Sequence, residues 1–121
     1  MGGMFSNSEF NQDIDSWYVS NVTNMRGMFV LTPFNQDISS WDVSNVRDIS
    51  YMFLETSFNQ DISSWDVSSA TIMDDMFSSA TSFNQDLSNW NVSQVTLCSD
   101  FNNLTPQWIL SKPNFTNCNP N

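Results

Sequence analysis

Four aspartates, Asp13, Asp37, Asp61 and Asp86, stand at one position in four near-identical segments of this chain. Carboxylates brought together in space can hydrolyse glycosides, and together with amide oxygens such as that of Asn35 they can hold Ca²⁺. The chain has no histidine, which removes the commonest general base and the commonest neutral metal ligand. Its one lysine, Lys112, lies between Ser111 and Pro113, and its many serines have no basic partner. An active site is normally unique, whereas a position filled once per repeat answers a structural need. No catalytic residue and no cofactor are therefore expected. Stacked carboxylates about 4.8 Å apart would repel one another unless a cation or backbone N–H groups compensated them. Aspartate and asparagine at turns commonly accept nearby backbone N–H groups. The turn reading is preferred over a calcium ladder of Asp13, Asp37, Asp61 and Asp86, and the spacing is not that of an EF-hand.

The elements that position these carboxylates follow from the repeat. Phe-Asn-Gln-Asp-(Ile/Leu) starts at Phe10, Phe34, Phe58 and Phe83, a period of 24, 24 and 25 residues. Such a period marks a solenoid whose units cannot bury their apolar face alone and must stack. Trp17, Trp41, Trp65 and Trp90 share one register, and Val19, Val43, Val67 and Val92 share another. Val22, Met25, Met28 and Phe29 fall at helical spacing, with Ser20, Ser44, Ser68 and Ser93 placed to cap the helix. Trp41-Asp42-Val43 alternates as a short strand does. The expected fold is an α/β repeat, a leucine-rich-repeat-like solenoid with one short strand and one short helix per coil and a parallel sheet on one face. A partial repeat plus four units would fill residues 1–101, and residues 102–121 would form a non-repetitive cap or tail.

Phe34-Asn-Gln-Asp-Ile-Ser-Ser-Trp-Asp-Val-Ser-Asn-Val46, followed by Met52-Phe53, resembles the bacterial surface protein repeat, also described as the DUF285 or BspA-like repeat of the leucine-rich-repeat group. The resemblance covers about Met4 to Phe101. It implies an extracellular or surface-displayed solenoid with adhesion or partner-binding roles, and it brings no catalytic motif.

The charge balance narrows the partners. The formal net charge is −10, with only three basic residues, so nucleic acid phosphates and anionic membranes are excluded as partners. No apolar run reaches the length of a membrane span. No signal-peptide pattern follows Met1, so a secreted form is expected to be a mature chain or a fragment. The opening Met1-Gly2-Gly3-Met4-Phe5-Ser6 loosely fits a myristoylation pattern, but Met4-Phe5 match Met28-Phe29 as repeat residues.

Cys98 takes a core position held elsewhere by Met25, Ile49 and Met73, and Cys118 lies in the tail. A disulfide between them would staple the tail over the end of the stack and imply an oxidising compartment; the alternative is two buried thiols. Asn21, Asn91, Asn103 and Asn114 open N-glycosylation sequons, although a chain rich in Asn, Ser and Thr also yields such triplets by chance. The sheet surface expected to meet a protein or glycan partner carries Tyr18, Ser40, Asp42, Ser64, Asp66, Asn89 and Asn91. Two functions result: a secreted or cell-surface scaffold for adhesion or partner binding, or a structural subunit of a head-to-tail extracellular fibre. A tail that folds back on its own last repeat favours the first, and a tail that reaches another chain's Met4-Phe5 region favours the second.

Overall fold

The apolar spacing of Met25, Met28 and Phe29 does bury all three side chains, but not through a helix. In the computed structural model, which describes residues 1–121, the chain contains no α-helix and no β-strand. The expected α/β solenoid, with its helix, strand and parallel sheet, is therefore not the fold. Regular pairing is confined to isolated parallel bridges that join Asn24 to Asp48, Asp48 to Ile72 and Ile72 to Leu97.

The backbone hydrogen bonds explain the difference. Between Met25 and Leu31 the N–H groups alternate in direction. Those of Met28 and Val30 donate within the coil, to the carbonyls of Met25 and Gly27. Those of Met25, Gly27, Phe29 and Leu31 donate to Asp48, Ser50, Met52 and Leu54 in the next coil, at 2.8–3.1 Å. Four of the seven donors thus tie coil to coil, and none is left for the four-residue ladder of a helix. The winding requires a left-handed residue at two places per coil, Gly27 (φ 62°) and Leu31 (φ 57°) in the second, and the same places recur at Tyr51 and Glu55, Asp75 and Ser79, and Asp100 and Leu104. A turn wound this way and an α-helix both turn residues i, i+3 and i+4 inward, so the apolar pattern does not separate them.

The expected strand fails for a different reason. Trp41 and Val43 are buried and Asp42 is exposed, as alternation requires, but no backbone bond joins this stretch to Trp65–Val67. Instead the Trp41 and Val46 N–H groups close tight turns onto the carbonyls of Ile38 and Val43. Ser44 is accordingly no helix cap; its N–H and hydroxyl both donate to the Asp42 carboxylate, at 3.0 and 2.6 Å.

A single cluster of thirty buried apolar residues runs the length of the stack. Phenylalanines dominate it. Within a coil Phe29 stacks on Phe34 at 4.0 Å, and Phe53 on Phe58 at 4.2 Å. Between coils Phe29 meets Phe53 at 5.8 Å, and Phe34 meets Phe58 at 6.0 Å. Identical residues at identical registers thus form two continuous aromatic columns, as nearest-neighbour stacking demands. The winding also carries on past Phe101. The Phe101 and Asn103 N–H groups repeat the in-coil turns, and Trp108 stands where Phe83 stands one coil earlier, donating its backbone N–H to Thr105.

Candidate functional site

Each aspartate of the sequence ladder caps a corner of its own coil. The Asp37, Asp61 and Asp86 carboxylates accept the N–H groups of Ser39, Ser63 and Ser88 at 2.9 Å, and Asp13 accepts that of Asp15 at 3.0 Å. A second corner repeats the device, with Asp42 and Asp66 holding Ser44 and Ser68 and Asn91 holding Ser93. A third uses Asp48 for Ser50 and Asn24 for Arg26. The short Asp/Asn side chain reaches the N–H two residues on, which is why these types recur at these places. No group of three or more His, Cys, Asp or Glu side chains converges as metal ligands do.

These bonds set the titration. Backbone and hydroxyl bonds from Ser39 and Ser63 hold Asp37 and Asp61 below the ordinary 3.8. Hydroxyl and backbone bonds from Ser44, Ser68 and Ser88 do the same for Asp42, Asp66 and Asp86. Two aspartates move the other way: the Asp13 carboxyl raises Asp15, and burial, followed by repulsion from Asp100, raises Asp75. A depressed carboxylate stabilises the fold above its unfolded pKa and loses that contribution as pH falls through its folded value; a raised one is relieved by protonation. The melting temperature is expected to hold or rise slightly from pH 7 to about pH 5, then to fall steeply below about pH 4. A melting series that kept rising toward pH 3 would show that the serine–aspartate corners contribute nothing.

Side-chain ladders replace the missing sheet. The Asn11, Asn35 and Asn59 side chains accept the backbone N–H of Asn35, Asn59 and Asn84 in turn, at 2.8–2.9 Å. The indole N–H groups of Trp41, Trp65 and Trp90 donate to the carbonyls of Ile14, Ile38 and Ile62 in the coil before, at 3.0–3.1 Å. The shared register predicts core tryptophans but not this tie, for which the only sequence signal is the need of a buried indole for an acceptor. Trp17, in the first coil, is partly exposed.

The expected interaction face is exposed throughout, Tyr18 to 79%. Much of its polarity is already committed. Ser40, Ser64 and Asn89 donate to the carbonyls of Asp15, Ser39 and Ser63 in the preceding coil. Asp42, Asp66 and Asn91 hold the corners above. The sequon residues Asn21, Asn91, Asn103 and Asn114 are all exposed.

The tail folds onto its own last coil. Cys98 and Cys118 form a disulfide, with Cα atoms 5.9 Å apart. Trp108 packs edge-on against Phe77 and Phe83 and donates its indole N–H to Gln85. The N–H groups of Ile109 and Leu110 occupy the Asn84 side chain, taking the place of a next coil's asparagine. The Asn117 amide reaches the carbonyl of Ser93. No helix is long and apolar enough to cross a membrane.

Coils tied by backbone donors, asparagine ladders and indole rungs define a tandem-repeat protein whose conspicuous carboxylates serve the repeat itself. The family model described as "Mycoplasma protein of unknown function, DUF285" matches residues 1–108, and the chain belongs to that family. No curated protein and no solved structure matches it significantly.

Proposed function

We propose that this chain is a non-catalytic repeat scaffold for adhesion or partner binding, displayed outside the cell or on its surface. The observation that carries the reading is the tail. It occupies the stacking positions of the fourth repeat, with Ile109 and Leu110 on Asn84 and Trp108 on Gln85, so the apolar column ends inside the molecule. The lateral surface, with Tyr18, Asp42, Asp66 and Asn91 exposed on it, is open to a partner. The disulfide supports an oxidising compartment, and four exposed sequon asparagines fit a glycoprotein. The corner-bound aspartates support a chain without catalysis, because each carboxylate is engaged by its own backbone.

The alternative, a head-to-tail fibre, draws on the first coil, where Met4 is 51% and Trp17 37% exposed. Such an apolar end can act as one half of a propagating interface, but its complement is filled by the chain's own tail. Electron microscopy and sedimentation of protein from its native source are expected to show discrete particles. Filaments would replace the scaffold reading with the structural one.

A further inference from the structure

A groove of 420 Å³ crosses the lateral face of the first two coils, lined among others by Gly3, Gly27, Asn24, Arg26, Tyr51 and Leu54. It exists because of a side chain missing twice. Gly3, Gly27, Tyr51, Asp75 and Asp100 share one repeat position, and all are left-handed, with φ of 63°, 62°, 58°, 52° and 56°. The later coils show that this conformation accommodates tyrosine and aspartate. Space does not demand glycine either: a Cβ on Gly3 would meet nothing within 4 Å, and one on Gly27 would make ordinary contact with Val30 at 3.4 Å. Glycine at both places leaves this stretch of the surface open beside the Tyr51 ring.

The lining combines one aromatic wall, two aliphatic side chains and a few polar groups. Arg26 lies over the Tyr51 ring at 4.6 Å and donates to the Ser50 hydroxyl at 3.3 Å. The Asn24 side chain accepts the Arg26 N–H at 2.8 Å. Asp48, 4.0 Å from the guanidinium, offsets its charge, and the chain as a whole carries −10. A polyanion is repelled by the molecule, and the groove, where the Arg26 and Asp48 charges offset one another, holds no free charge to select an ionic ligand. A neutral sugar ring has one apolar face for an aromatic wall and hydroxyls for Asn24 and Arg26.

We propose that this groove binds a neutral sugar residue packed against Tyr51. The inference rests on the partner-binding reading and names a ligand class and a place away from the Ser40–Asp42 face. The test titrates the full chain with neutral gluco-, galacto- and manno-oligosaccharides, following backbone amide resonances by NMR. Shifts confined to Gly27, Arg26, Tyr51 and their neighbours are expected. Gly27→Tyr, which copies the next coil and fills the depression, and Gly27→Asp, which copies the two after it, are each expected to weaken binding by about tenfold or more. Tyr51→Ala is expected to lose a similar amount while Thr96→Ala, at an exposed position outside the groove, leaves sugar binding unchanged. No shift with any neutral sugar at millimolar concentration overturns the proposal, as does binding that survives both Gly27 variants. If sugar binding fails but a cell-surface ligand is still captured and released by Asp42→Lys with Asp66→Lys, the groove is refuted and the scaffold reading stands; loss of both refutes both.

Discussion

Trp65→Ala is expected to destabilise the protein by about 3–5 kcal/mol, the usual cost of truncating a buried aromatic ring. Trp65 is 4% exposed and packs against Phe53 and Trp90 at 6.4 Å in the middle of the stack. Its indole N–H also ties the third coil to the second through the Ile38 carbonyl at 3.0 Å. The alanine variant thus opens a cavity and orphans a carbonyl together. Trp65→Phe separates the two effects: it keeps most of the ring volume and loses the tie, for about 1–3 kcal/mol. Trp17→Ala supplies the control, since Trp17 is 37% exposed and should cost clearly less than Trp65. Urea denaturation measures all three. Because stability in a stacked repeat is a sum of neighbour interfaces, the Trp65 variant should also broaden the transition. A cost below about 1 kcal/mol for Trp65→Ala would mean that the indole rungs do not hold the coils together.

The same tryptophans show how much of the molecule could be read in advance. Repeat register assigned the core correctly at Trp41, Trp65, Val43, Val67, Met28, Met52 and Phe53, because a residue stacked on its own copies needs only to be apolar. The preference for aspartates at turns is matched by the Asp37–Ser39 and Asp61–Ser63 bonds, since an Asx corner is a local, two-residue device. Periodicity alone does not separate a helix or a strand from the turns that stand in their place. Met25, Met28 and Phe29 point inward in either winding, and what decides between them is where the Gly27 and Phe29 N–H groups donate, a choice made by the coil 24 residues away. Gly27 was a visible signal, but Tyr51 at the same place in the next coil concealed that the position is left-handed. Ser40 and Ser64 are exposed, but their hydroxyls donate to the carbonyls of Asp15 and Ser39, acceptors that belong to another coil. The candidate groove is not legible in positions that are alike, because it arises where Gly3 and Gly27 differ from Tyr51.

Breaking the Cys98–Cys118 disulfide, by reduction or by replacing both cysteines with alanine, is expected to cost about 3 kcal/mol, the loop-entropy value for a closed segment of this size. The sequence separation is 20 residues, and both ends are otherwise anchored unequally. Cys98 is buried in the main core, whereas Cys118 and Phe115 only pack against its edge. Trp108 is held independently, through Phe83 at 4.7 Å and the Gln85 carbonyl at 2.9 Å. The loss should therefore divide along the tail. Amide exchange should accelerate from Phe115 to Asn121, while Ile109 and Leu110, donating to Asn84 at 2.9 and 3.0 Å, keep most of their protection. Exchange that rises equally at Ile109 and Leu110 would show that the disulfide holds the whole cap in place, and the end of the aromatic column at Phe101 would then open on reduction. A stability change below about 1 kcal/mol with protected tail amides would show instead that Trp108 and its hydrogen bonds suffice, leaving the disulfide a small term in the energetics of the cap.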